Sequence, residues 1–239
     1  MNKHKPLKSR DILGKVNTSG QSNWLRAAVL GSNDGIISIA GLVIGVAEAT
    51  QSKTAILIAG LAGIVAGAMS MAVGEYLSVS TQRDTENALL ANERRDLVNH
   101  PDEELANLVS AYESDGMDPK IAKIVALELT KTNAFTTHAE VDLHIDPKHL
   151  TNPWSAVFAS VGSFIAGALI PLAAVLVSTE KYTVTITFVS VIVALIITGL
   201  ISAKVSGANV FKSTLRVVVG GAIAMVVTYA IGNLFKIAG

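Results

Sequence analysis

Asp34 and Glu75 are carboxylates placed within stretches otherwise apolar enough to cross a lipid bilayer. An ionised carboxylate in hydrocarbon is costly unless it meets a partner, water or a cation, so an intramembrane acid marks a functional site by default. Asn33, Asp34 and Ser38 offer hard oxygen ligands in the first stretch, and Gly35 lets the backbone open or a neighbouring helix approach. In the second stretch Gly63, Gly67, Met71 and Glu75 recur every four residues and share one helix face. A thioether and a carboxylate on one face suit a borderline transition ion such as Fe²⁺ better than Mg²⁺ or Ca²⁺. Blander alternatives stand beside these readings. Asp34 also fits a bond to a neighbouring helix, Met71 fits plain packing, and Glu75 fits the hydrated mouth of its span.

A second set of candidate ligands lies in the polar middle of the chain. Glu93 and Asp96 are three apart, Glu103 and Glu104 follow, and His138, Glu140, Asp142 and His144 come last. On a helix the pairs His138/Asp142 and Glu140/His144, each at i, i+4, can reach one ion. Imidazole with carboxylate is the ligand mix for Fe²⁺, Mn²⁺ or Zn²⁺. An acidic helix face that is simply solvated is the competing explanation.

Long helices are needed to position these groups. Half of the 239 residues (50%) are hydrophobic and only 16% are charged, which excludes a soluble domain with a polar surface. A helix needs ~20 residues to cross ~30 Å of hydrocarbon. Five stretches qualify: roughly Leu25–Ala47, Thr54–Ser78, Trp154–Val177, Val184–Ala203 and Leu215–Phe235. The segment between the second and third differs, with fourteen Asp/Glu, seven Lys/Arg and four of the five histidines between Arg83 and Asn152.

Within that segment the second span runs on unbroken to His100-Pro101. One helix then starts at Asp102, turns Leu105, Leu108, Val109 and Tyr112 inward, and stops at Asp115-Gly116. Another begins at Pro119 with Ile121, Ile124, Val125 and Leu129 inward, and a last one spans about Ala134 to Ile145. The expected fold is an all-α integral membrane protein of five transmembrane helices, with a helical cytosolic domain between the second and third. Its divisions are a basic tail (1–22), spans one and two (23–82), a helical metal-binding domain (83–152) and spans three to five (153–239).

Charge bias sets the expected orientation. Lys3, Lys5, Lys8, Arg10, Lys15 and Arg26 precede the first span, and Lys204, Lys212 and Arg216 lie between the fourth and fifth. The other side carries Lys53, Lys181 and Lys236. The amino terminus and the middle segment are therefore expected in the cytosol and the carboxyl terminus outside. A bacterial plasma membrane is favoured over a vacuolar one, because the tail carries no evident sorting signal.

Several chemistries are excluded. The chain has no cysteine, hence no thiolate site or Cys nucleophile. It has no phosphate-binding glycine loop, no HExxH helix, and no aromatic-laced basic stripe for nucleic acid. Without an ATPase, a proton gradient is the natural energy source, and carboxylates that hold either metal or protons permit exchange.

At these residues the chain resembles a known family. Leu25-Arg26-Ala27-Ala28-Val29-Leu30-Gly31-Ser32-Asn33-Asp34-Gly35-Ile36-Ile37-Ser38 is similar to the first-span signature of the vacuolar iron transporter family. Ala66-Gly67-Ala68-Met69-Ser70-Met71-Ala72-Val73-Gly74-Glu75-Tyr76-Leu77 resembles its second, and Gly167-Ala168-Leu169-Ile170-Pro171-Leu172 its third. The resemblance implies a homodimer with the ion path between its copies, exporting Fe²⁺ and often Mn²⁺ from the cytosol in exchange for protons. It assigns path roles to Asp34 and Met71, and metal-binding roles to Glu93, Asp96, Glu104 and Asp142, with His138 where the family has methionine.

The chain departs from the plant-type pattern in three ways: Gly63 stands where that pattern has a glutamate and the acid appears instead at Glu75, Asn107 stands in place of an acid, and His138-Ala139 replace a methionine pair. The expected activity is a proton-coupled exporter of divalent metal rather than an enzyme, with no permanently bound cofactor. Its partners are the metal ion, protons, the bilayer and a second copy, and no nucleic acid. The alternative is a membrane-tethered protein that sequesters or senses metal without moving it.

Overall fold

The computed structural model describes residues 18–50 and 52–238. Among the described residues the regular elements are all helical. They are α1 (Thr18–Ala49), α2 (Lys53–Asn99), α3 (Pro101–Ser114), α4 (Pro119–Val141), α5 (Pro153–Val177), a 3₁₀ turn (Glu180–Tyr182), α6 (Thr183–Ser206) and α7 (Val210–Ala238). Five segments among the described residues are long and apolar enough to cross a membrane: Trp24–Ala49, Lys53–Asn99, Pro153–Val177, Glu180–Ser206 and Val210–Lys236. The chain forms two compact units. One holds Leu77–Pro153; the other joins Trp24–Tyr76 to Trp154 and the residues after it.

In the second unit α1 is the central helix because it is apolar on two faces. Ile39 and Val43 pack with Ile56, Ile64 and Ala68 of α2 and with Phe164, Ala168, Leu172 and Val175 of α5. Ile36, Ala40 and Ile44 pack instead with Val191, Ala194 and Leu195 of α6 and Met225 of α7. Lipid tails are as apolar as leucine, so span association depends on close van der Waals fit and small residues. Gly31 and Gly35 supply that fit: a Cβ at either would run into the backbone oxygen of Ser160 or Phe164 on α5.

The helix ends of this unit are tied as well. Lys53 Nζ donates to the carbonyls of Leu176 (2.8 Å) and Ser178 (3.0 Å), satisfying acceptors that the end of α5 leaves open. Lys236 pairs with Glu48 at 3.0 Å, joining α7 to α1. Trp154 stacks obliquely on Tyr76 (5.2 Å) and Phe158 (6.2 Å), the aromatic cluster favoured where hydrocarbon meets headgroups.

The 47 residues of α2 rise about 70 Å, more than twice the ~30 Å of hydrocarbon that one span needs, and its second half belongs to the unit Leu77–Pro153. In the unit that includes this half, α3 opens with Pro101 and three acids in its first turn, both favourable at a helix start. As the periodicity predicts, its covered face is Leu105, Leu108, Val109 and Tyr112. Gly116, at φ +93°, makes the left-handed turn that lets the chain reverse. Asp118 then caps α4 by accepting from Lys120 N at 3.0 Å.

Two expectations for α4 need correction. Its covered face is Ala122, Val125 and Ala126, whereas Ile121 (54% exposed) and Ile124 (63%) face outward and Leu129 is also exposed. Alanines on the contact face let α3 and α4 approach closely, which side-chain size in the sequence does not announce. The separate last helix is the second half of α4, broken off at Asn133 (φ −161°, ψ 81°), whose Oδ1 accepts from Thr136 N at 3.2 Å. It ends at Val141 rather than Ile145, because the Ile145 amide folds back onto Ala139 O at 2.8 Å.

Candidate metal centre

Three helix segments converge on one point in the unit Leu77–Pro153. α2 contributes Glu93, the first turn of α3 contributes Glu104, and the end of α4 contributes His138 and Asp142. One donor atom from each lies within 4.8 Å of every other. Nδ1 of His138 is 3.1 Å from Asp142 Oδ2, 3.2 Å from Glu93 Oε1 and 3.6 Å from Glu104 Oε2. His138 is fully buried (0% exposed) and Glu93 nearly so (9%). The break at Asn133 starts the short helix whose i, i+4 spacing turns His138 and Asp142 to the same side.

Three oxygens crowd a single nitrogen, and an N–H can align with only one acceptor. None is aligned: both ring nitrogens of His138 and Oε1 of Glu93 are buried without a hydrogen bond. Each such orphan costs about 1–3 kcal/mol. A cation accepting lone pairs from all four residues would relieve His138 Nδ1 and Glu93 Oε1 together, and one imidazole with three carboxylates is a donor set for Fe²⁺, Mn²⁺ or Zn²⁺.

Electrostatics agree with the crowding. Burial pushes the Glu93 carboxyl up, and the charges of Glu104, Asp142 and Asp96 add to that while His138 opposes it. For His138, burial alone favours the neutral ring; Asp142, then Glu93 and Glu104, outweigh it and raise the pKa above 6.5. Both Glu93 and His138 therefore hold a proton to higher pH than such groups ordinarily do. Tyr112, one helix face with Glu104 and Leu108, is raised by burial and then by Asp142, Glu140 and Asp115. Its spacing of eight from Glu104 was visible, but an aromatic on an apolar face reads as core.

The other predicted ligands lie elsewhere. Asp96 sits one turn along α2 from Glu93, half-buried, and acts on the centre through charge. Glu103 is exposed, with His100 Nδ1 at 3.8 Å. Glu140 is half-buried outside the four-donor set. Its helical relation to His144 is lost because α4 has already ended, and His144 sits at φ +54° with Nδ1 3.4 Å from the Glu140 backbone oxygen.

In the membrane-type unit, α1 passes through Ser32-Asn33-Asp34-Gly35 without a break, so Gly35 serves helix approach and not backbone opening. Asp34 is half-buried, and its Oδ1 accepts from Ser38 Oγ at 2.6 Å. Asn33 Oδ1 is buried without a partner. Met71 packs against the core cluster that includes Ala68 and Phe164, while half-buried Glu75 precedes the aromatic Tyr76. Among the described residues no grouping of three His, Asp or Glu ligands forms in this unit.

Comparison with known sequences settles the relationship. The family model of the VIT family matches residues 25–233. The chain belongs to the VIT family. It is 41% identical to a vacuolar iron transporter of Acanthamoeba castellanii over 236 residues, covering 94% of this chain and 87% of that protein. It is 33% identical to vacuolar iron transporter homolog 2.1 of Arabidopsis thaliana (91% of this chain, 84% of the relative). A VIT-like transporter 1b of Glycine max is also 33% identical (90% and 77%). With its five apolar helices, this VIT-family chain is a multi-pass integral membrane protein of a transporter family.

Proposed function

We propose that this protein exports a divalent transition metal, Fe²⁺ and also Mn²⁺, from the cytosol across the membrane in exchange for protons. The observation that carries the reading is the four-residue donor set Glu93, Glu104, His138 and Asp142, with buried nitrogen and oxygen atoms left unpartnered. Relatives named as vacuolar iron transporters support iron as cargo. In this reading the helical unit Leu77–Pro153 is cytosolic and captures the ion. Glu75 and Met71 receive it, and Asn33 and Asp34 carry it through the spans.

Proton coupling follows from the same ligands. A carboxylate or imidazole must lose its proton to bind metal, so ion and proton compete for one site. Two copies form the working unit. The exposed stripe Ile58, Leu61, Val65, Met69 and Val73 on α2 supports a surface for hydrocarbon or for the second copy.

Reconstitution in vesicles with an imposed pH gradient tests this. Accumulation of Fe²⁺ or Mn²⁺ that collapses with the gradient is expected. Metal binding without accumulation would instead favour a membrane-tethered sequestering protein.

A further inference from the structure

Between positions 81 and 89 of α2, Glu86 alone is covered, and buried Leu90 and Glu93 follow on the same face. Its carboxylate accepts three hydrogen bonds. Gln82 Nε2 donates to Oε1 at 3.1 Å; the backbone N–H and hydroxyl of Thr151 donate to Oε2 at 3.2 and 3.1 Å. Thr151 is only 7% exposed and stands two residues before Pro153, which opens α5. The contact thus fastens the helix entering the unit to the segment leaving it, across 65 residues of sequence.

Both sides of this clasp lead stiffly to the metal centre. Glu93 lies seven residues further along an unbroken helix, about 10 Å away. On the other side, Asp146 organises the returning segment. Its Oδ1 accepts from Lys148 N at 2.9 Å, its Oδ2 faces His149 Nδ1 at 2.8 Å, and its carbonyl accepts from His149 N at 3.1 Å. Upstream, Ile145 N bonds Ala139 O and Asp142 N bonds His138 O, both at 2.8 Å. Glu86, Glu93, His138, Asp142 and Thr151 therefore lie on one ring closed by the clasp.

We propose that Glu86 is a positioning residue for the metal centre: by holding Thr151 against α2 it sets His138 and Asp142 opposite Glu93. This rests on the metal-centre reading above. Glu86 is not itself a ligand, since it lies outside the four-donor set and its oxygens are engaged. Its part is hydrogen bonding and not charge, so glutamine, which keeps a carbonyl oxygen for Thr151, substitutes for it.

Mn²⁺ titration of the purified full-length protein by calorimetry tests the role. Groups that orient ligands typically contribute 10–100-fold in metal affinity, and Glu86 acts at one remove, so Glu86→Ala is expected to raise Kd about 10-fold. Glu86→Gln should restore affinity to near the parent value, a rescue that a loss of bulk stability would not give. In an Asp142→Ala background the Glu86→Ala effect should shrink, because the two act through one ligand.

Equal Kd for the parent and Glu86→Ala, or no rescue by glutamine, overturns the proposal. If Glu86→Ala does not fold, Thr151→Val, which deletes only the hydroxyl bond, carries the test, and its unchanged Kd overturns it. Should the parent bind no Mn²⁺, the metal-centre reading fails. The clasp is then judged in metal-free protein, where Glu86→Ala should speed amide exchange at Thr151 and His138–Asp142, and unaltered exchange refutes it.

Discussion

His138→Met separates the two things that the buried imidazole does. It keeps a side chain of similar bulk and a potential metal ligand, but removes a group that titrates. In the metal-free centre His138 and Glu93 both have pKa values above their ordinary 6.5 and 4.5, so both tend to hold protons that an arriving cation must displace. Where both are protonated, binding releases two protons, and Kd weakens up to about 100-fold for each unit fall in pH. With methionine at 138, the three carboxylates lose their neighbouring cation and Glu93 is raised further, so one proton remains to be released. The expected dependence drops to at most about 10-fold per pH unit. Calorimetric titration of Mn²⁺ in buffers of different ionisation enthalpy counts the protons directly. Equal proton release by the parent and His138→Met would refute the claim that the imidazole is protonated and displaced.

Further outcomes follow from other parts of the molecule. Asp34→Asn should keep the Ser38 contact and metal binding at the helical unit, yet lower gradient-driven uptake roughly 10- to 100-fold, the worth of about 1.5–3 kcal/mol for a bond to a charged group; undiminished uptake would remove Asp34 from the path. Gly35→Val drives a side chain into the Phe164 carbonyl, and overpacking of this kind costs about 1–3 kcal/mol, so the variant should unfold at lower temperature in the same detergent. The metal-free protein should lose stability as pH rises. The folded state retains protons on Glu93 above 4.5 and on His138 above 6.5 that the unfolded chain releases, so each contribution is full below those values and fades through the raised folded pKa. Thermal melts of the helical unit that stay flat or climb over about pH 5 to about pH 8 would contradict this.

Much of this architecture is legible in the residues. Long apolar runs dictate the five apolar helices, and the absence of a breaker before His100-Pro101 dictates that α2 continues unbroken to Asn99. Gly116, Pro119 and Asn133 are punctuation of a kind that sequence reading handles well. The facing of α4 was not legible. Its contact side is made of alanines, so the largest apolar residues, Ile121 and Ile124, mark the outside. At the centre, Glu93, Glu104, His138 and Asp142 come from three helix segments, and which acids among six candidates converge depends on where α4 stops. Glu140 and His144 have the right spacing for one ion, but the helix ends between them. The Glu86–Thr151 clasp gave no signal, because an acid and a threonine 65 residues apart carry no local pattern.

The arrangement explains why an acidic cluster can be buried without collapsing the unit that contains it. Three carboxylates within reach of one another repel, and burial removes the water that would screen them. Protonation of His138 or of Glu93 offsets part of that repulsion, and both groups have pKa values above their ordinary ones, His138 against the pull of burial and Glu93 with it. A divalent ion would supply two positive charges while giving His138 Nδ1 and Glu93 Oε1 an acceptor for their lone pairs. In the proposed function protons and metal compete for the same ligand atoms, so the ion's hold would weaken wherever protons are plentiful, which is the behaviour that an exchange of metal against protons requires.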